Sequence, residues 1–171
     1  MELSFAQMDL FQDVPRKTIV IGKVSDYSGA QGDRYRQTYR LARQYAERVI
    51  ILGQPNLNIK PLEGDELGRN LVLVEDIVAL RSLIADTADT ANAGEVILLK
   101  ASYKVDRMER IALDYERPVE CWISGCKRAC VCFNCDQLTA DGQVHRPDAE
   151  STSYMIDDPD YFCDVIARDA S

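Results

Sequence analysis

Cys121, Cys126, Cys130, Cys132 and Cys135 fall within fifteen residues, in the run CWISGCKRACVCFNC, and the remaining cysteine is Cys163. Thiolates are soft donors that prefer zinc, copper(I) or iron–sulfur centres to hard cations. Cys121 and Cys126 enclose four residues, and Cys132 and Cys135 enclose two. Both gaps let a short turn aim two sulfurs at one ion, which makes these four the natural metal set and leaves Cys130 outside it. Only five residues separate the pairs, against roughly 15–20 in a zinc ribbon, so the expectation is a tight metal loop without hairpins of its own. Zinc is favoured over an iron–sulfur cluster, because the four-residue gap opens a plant-type ferredoxin pattern that the later gaps do not continue, and disulfides or plain buried thiols are the remaining readings. A four-thiolate site is closed and offers no open position for catalysis, so the loop reads as structural. Redox or metal sensing is the alternative. Lys127 and Arg128 beside Cys130 would then stabilise a thiolate, with Cys163 as a second reactive thiol.

The segment MELSFAQMDLFQDV has no basic start and no apolar core of signal-peptide length. The expectation is a cytoplasmic protein with reduced thiols. At 171 residues and 46% hydrophobic content, the chain can build one real core without staples. No stretch reaches the roughly 18–20 continuous apolar residues of a membrane span, so no membrane partner is expected. The net charge is −8, and after Cys135 nine acids face only Arg146 and Arg168. Such a balance disfavours nucleic acid as a partner, since phosphate neutralisation supplies most of that affinity. Arg36, Arg40 and Arg43 could form a local cationic stripe on one helix face, or simply a solvated surface.

Strands and helices must position these groups. KTIVIGK (17–23), RVIILG (48–53), LVLV (71–74) and EVILLK (95–100) are short, apolar and rich in β-branched residues, as buried parallel strands are. VECWI after Pro118 reads as a fifth strand. Between them, RYRQTYRLARQYAE holds Tyr35, Tyr39, Ala42 and Ala46 at helical spacing behind Asp33 as N-cap. In EDIVALRSLIADTAD, residues Ile77, Leu80 and Ile84 share one face, with Glu75 and Asp76 at the positive N-terminus. Residues 105–115 carry Val105, Met108, Ile111 and Ala112 on one face. Strand and helix alternate, which predicts an α/β fold: a Rossmann-like parallel sheet flanked by helices, with a small Cys-rich loop after the last strand. Residues 1–16 form an N-terminal segment, 17–120 the α/β domain, 121–135 the metal loop, and 136–171 an acidic, largely irregular C-terminal segment.

Ligands of open α/β sheets gather at the C-terminal strand ends. That rule brings Lys23, Asp26, Lys100 and Ser102 toward one edge, either as ligand contacts or as rim solvation. The loop GKVSDYSGAQGD leads from a strand toward a helix N-terminus, where free amides bind anions. It lacks G-x-G-x-x-G, and no G-x-x-x-x-G-K-[ST] loop occurs, so its glycines read first as turn formers. His145 stands alone in a polar loop, where exposure is a more natural reading than ligation, and one histidine there supports no catalytic triad. Trp122 reads as packing for the cysteine loop.

The order KTIVIGKVSDYSG, LARQYAERVIILG and GEVILLKASYKVDRMERI resembles the C-terminal domain of Mur ligases, most of all the D-alanyl-D-alanine-adding enzyme. Gly22, Ala46, Val49 to Gly53, Gly94 to Lys100, Ser102, Met108 and Glu109 match family motifs across residues 17 to about 115. Lys23 replaces the aspartate of "GDM", and Ala101 the glycine of "KGS". Some Mur-ligase-like bacterial proteins also end in C-W-x3-C-x5-C-x2-C, which Cys121, Trp122, Cys126, Cys132 and Cys135 resemble. The resemblance implies a Rossmann-like lid that closes over a separate ATP-binding domain and helps bind the incoming amino acid or dipeptide. The ATPase and UDP-sugar domains are not in this sequence. The expectation is therefore a module that is non-catalytic alone and binds a small anionic ligand or a partner subunit. Lys100 and Ser102 would contact a carboxylate or phosphate, with Lys23 and Asp26 opposite. Its rival is the lid of a split ATP-dependent peptidoglycan-type ligase, paired with an ATPase or Mur-like subunit.

Overall fold

The computed structural model describes residues 1–24, 29–53, 58–89, 94–102, 105–128 and 130–139. The chain divides into two compact units, Met1–Ser102 and Tyr103–Ser171.

In the first unit, β1 (Arg16–Ile21), β2 (Arg48–Leu52), β3 (Leu71–Val74) and β4 (Glu95–Lys100) form one sheet in the order β3-β2-β1-β4. Every pairing is parallel. In β1, Ile19 and Ile21 join a core with Val49, Ile51 and Leu71 of the neighbouring strands. The alternate residues Val20 and Ile50 point to the other face and are also buried. Both faces of the sheet are thus covered, as the continuous apolar runs require. Gly94 opens β4 at φ +111°, and a Cβ there would meet Pro15 Cδ at 3.0 Å, so the close approach of the segment before β1 needs this glycine.

Helix α1 (Glu2–Phe5) and the 3-10 turn Ala6–Leu10 insert Phe5 and Met8 into the same core, so the N-terminal segment is part of the unit. Helix α2 (Gln31–Ala42) adds Tyr35, Tyr39 and Ala42. It starts earlier than the predicted cap at Asp33. Ala30 occupies the N-cap position, and Asp33 lies inside the helix, paired with Arg36 one turn on. Helix α3 (Ile77–Asp89) buries Ile77, Leu80 and Ile84. Asp76 caps it, accepting from the amides of Val78 at 3.0 Å and Ala79 at 2.9 Å. No helix among the described residues is long and apolar enough to cross a membrane.

Helix α4 (Glu109–Glu116) belongs to the second unit and is shorter than the predicted span from 105. Arg107 has φ +55°, a left-handed conformation that an α-helix cannot contain. The predicted fifth strand at 119–123 is irregular chain instead. Its backbone groups bond elsewhere: the amides of Glu120 and Cys121 donate to Leu138 O, and the carbonyls of Cys121 and Ile123 accept from Arg110. Those groups are thereby withdrawn from a sheet ladder.

The long connection before β3 is pinned to α2 by one carboxylate. Asp65 accepts from Tyr39 Oη at 2.6 Å and, as a fork, from Arg43 Nε at 2.8 Å and Nη2 at 2.7 Å. Arg43 is thereby removed from the expected cationic stripe, and Arg36 is paired with Asp33. Arg43 holds the Asp65 carboxyl below its ordinary 3.8, and burial, then Asp65, pushes the Tyr39 hydroxyl up to about 12. The signs give a two-sided pH dependence. The Asp65 contribution is present above the unfolded carboxylate value and is lost as pH falls below it through the folded one. The Tyr39 contribution is full below pH 10 and is lost as pH rises toward 12. Asp65→Ala should lower unfolding free energy at pH 7 by about 2 kcal/mol. Urea titrations between pH 7 and 2 should show the variant losing less stability with acid than the parent.

Candidate functional site

The chain runs β1 to β2 to β3 in one direction across the sheet, then returns to place β4 on the other side of β1. Such a reversal, beyond the C-terminal ends of β1 and β4, is the place where open α/β sheets take ligands. Register puts Ile21 beside Lys100, and the Gly22 amide continues the ladder to Lys100 O at 2.9 Å. Lys23 therefore follows one strand end while Ala101 and Ser102 follow the adjacent one. Lys23 is exposed, and Lys100 and Ser102 are half-buried. Three of the four expected ligand residues thus belong to neighbouring strand ends, and Asp26 lies outside the described residues.

Tyr35 sets the backbone of this turn. Its side chain is almost completely buried, and its hydroxyl donates to Gly22 O at 3.1 Å and accepts from the Val24 amide at 3.3 Å. One phenol thus satisfies backbone groups on both sides of Lys23. The helical spacing of Tyr35 marks it as a core residue, and nothing in the spacing reveals that its hydroxyl organises the strand end. The opposite end of the sheet carries its charges differently. There Glu95 accepts from Thr18 and lies 4.0 Å from Arg16, tying β4 to β1.

In the second unit, the cysteine segment is built around α4. Cys130, Cys132 and Cys135 share an apolar cluster with Leu113, Val119 and Leu138, and Trp122 packs against it with its indole N–H on Val119 O at 2.7 Å. Cys132 to Asn134 form a 3-10 turn, in which the Cys135 amide donates to Cys132 O at 3.1 Å. Cys121, Cys126, Cys132 and Cys135 are free thiols, whereas Cys130 is disulfide-bonded, unlike the expected set of reduced cysteines. Cys163 and His145 lie outside the described residues.

Two arginines hold the segment. Arg107 donates to Cys130 O at 2.5 Å and to Arg128 O. Arg110 donates to Cys121 O at 2.8 Å and Ile123 O at 3.1 Å, with Nη1 3.9 Å from Cys121 Sγ. Arg128 points to Cys135 Sγ at 3.4 Å and Asp136 at 2.6 Å, not to Cys130, which is itself buried. That arrangement does not supply the exposed, cation-flanked Cys130 that sensing requires. Burial, reinforced by Glu109, pushes the Cys132 thiol up to about 12, and Arg110 and Arg107 pull the other way.

Among the described residues no group of three or more His, Cys, Asp or Glu side chains is placed to hold an ion. Cys132 and Cys135 share one turn and one cluster; Cys121 is held at Arg110. The four thiols are soft donors, two of them with a guanidinium directed at the sulfur, but they are not gathered into one set. Were a soft metal to draw them together, Cys121, Cys126, Cys132 and Cys135 are the residues that would hold it, and the ion would supply a cross-link rather than reactivity.

No family model matches the chain, and neither curated proteins nor solved structures return a similar one. Tyr35→Phe should cost about 1–3 kcal/mol, the penalty for leaving two buried backbone groups without their partner. Amide exchange at Val24 should accelerate more than the global loss of stability accounts for.

Proposed function

We propose that this protein is a binding module of the Mur-ligase C-terminal type. Alone it performs no catalysis. It takes a small carboxylate or phosphate beyond the C-terminal ends of β1 and β4. Lys100 and Ser102 contact the anion, Lys23 faces it, and a zinc-bound cysteine segment serves as a structural clip. The observation that carries the reading is the strand reversal, which gives Lys23, Lys100 and Ser102 adjacent strand ends. Two ammonium groups favour an anion there, and the absence of a phosphate-binding loop motif from the sequence argues against independent nucleotide hydrolysis. Lysine acts as a point charge, so such a site attracts an anion without fixing its orientation. Ser102 and the turn held by Tyr35 would supply direction.

The chemistry of a lid fits the same residues. A terminal carboxylate or a phosphoryl group bound here would be presented to a second protein body, which must provide the nucleotide site. Calorimetric titration with D-alanyl-D-alanine and, separately, inorganic phosphate should show saturable binding by at least one. It should weaken with added salt, and Lys100→Ala should weaken it by about tenfold. ATP turnover by the purified chain that Lys100→Ala abolishes would contradict a module inactive by itself. Co-purification with a Walker-type ATPase would shift the assignment to the lid of a split ligase.

A further inference from the structure

We infer that the outer edge of β4 is a self-association surface, on which β4 of a second copy of this chain adds antiparallel about a two-fold axis at Ile97. This goes beyond the anion site and does not depend on it. Lys100 lies beside Ile21, and its carbonyl accepts from the Gly22 amide. In a parallel ladder that pattern turns the peptide groups of Val96, Leu98 and Lys100 toward β1 and leaves those of Glu95, Ile97 and Leu99 pointing away from the sheet. β4 is the last strand on its side, and among the described residues no hydrogen bond reaches those outward groups. A fifth strand could have covered them, but residues 119–123, which have the composition for it, are irregular chain.

The two edges of the sheet differ in how they are finished. At the opposite edge β3 is only four residues long, and Val74 O accepts from the Gly53 amide, so Leu71 and Leu73 are its outward residues. The preceding turn already occupies Leu71, whose amide donates to Glu66 O at 3.3 Å and whose carbonyl accepts from the Gly68 amide at 2.7 Å. β4 has no such cover. It is six residues long, contains no proline or glycine, and carries charge only at its ends, Glu95 and Lys100. Between them Val96, Ile97, Leu98 and Leu99 are apolar and half-buried, and an unprotected apolar edge is a template for another strand.

The outward residues are symmetric about Ile97, which is what selects a second copy as the occupant. A two-fold axis there pairs Ile97 with the partner's Ile97 and Glu95 with the partner's Leu99, so every outward amide and carbonyl of the strand gains a partner. On the other face of the sheet Val96 meets the partner's Leu98. Like charges do not stand opposite one another, because the two Glu95 carboxylates lie at opposite ends of the paired strands. Long-range repulsion is small as well, since most of the net charge of −8 belongs to the residues after Cys135. A contact of this kind closes at two copies.

The test combines sedimentation equilibrium of the full chain, from micromolar to millimolar concentration, with amide hydrogen exchange read residue by residue by NMR. Non-reducing electrophoresis excludes cysteine-linked pairs. Wild type should become dimeric as concentration rises. The amides of Ile97 and Leu99 should then exchange about tenfold more slowly than in the dilute sample, while those of Val96 and Leu98, already bonded to β1, should not change. Ile97→Lys and Ile97→Glu each set like charges about 5.5 Å apart across the axis. Each variant alone should therefore be monomeric, and an equimolar mixture of the two should pair. Should either variant not fold, the exchange pattern of wild type decides by itself. A chain that stays monomeric at every concentration would overturn the inference, and protected Ile97 and Leu99 amides in that monomer would mean that a segment of the same chain holds the edge. A dimer whose Ile97 and Leu99 amides remain unprotected would also overturn it, because the contact would then lie elsewhere. Dimers that persist in both charged variants would contradict the axis at Ile97.

Discussion

Strand β1 is hydrogen-bonded on both edges and buried on both faces, and the first unit is organised by that double constraint. Its partners differ in chain order: β2 follows it directly, whereas β4 arrives only after the chain has gone out to β3 and returned. The switch in strand order therefore falls between β1 and β4, where open α/β sheets take ligands. The same pairing that fills the core with Ile19, Ile21, Val49 and Ile51 therefore decides which polar residues become neighbours. Lys23 and Lys100 come to adjacent strand ends because their strands are in register, with Ile21 beside Lys100.

Polar side chains buried inside each unit do the work that apolar packing cannot, which is to fix irregular chain. Tyr35 clamps the turn after β1, and Tyr39 and Arg43, one and two helical turns further along α2, clamp the connection before β3 through Asp65. Tyr35 and Tyr39 project from α2 and Arg43 from its C-cap, at spacings of four residues. In the cysteine unit, α4 and the residues just before it act alike, with Arg107 and Arg110 gripping the carbonyls of a segment that has almost no regular structure. Loops placed this way carry chemistry on rigid supports, although their own backbone is irregular.

The parallel strands were legible because four short apolar runs, separated by helical periodicity, admit few other folds. LVLV and EVILLK match β3 and β4 residue for residue. The misread segments are those where a side chain overrode a local pattern. VECWI has strand composition, yet Arg110 and Leu138 take its backbone groups, and composition carries no sign of that competition. The helix predicted from Val105 is cut short by the left-handed Arg107, a residue type that gives no warning of such a conformation. Asp65 stood unremarked in a loop rich in proline and glycine, although it is the residue on which that loop is fastened. The strand-end rule alone brings Lys23, Lys100 and Ser102 to neighbouring strand ends, which is where the register puts them. Spacing marks the cysteine segment but gives no sign of the arginines that hold it, because their partners are backbone carbonyls.

We propose that this protein meets an anion beyond the C-terminal ends of β1 and β4. Amide chemical shifts followed by heteronuclear NMR during titration with inorganic phosphate and D-alanyl-D-alanine test it most directly. The account predicts saturating shifts confined to Gly22, Lys23 and Val24 on one strand end and Lys100, Ala101 and Ser102 on the other, diminished in Lys100→Ala. Saturating shifts located elsewhere, or none at millimolar ligand, would contradict it.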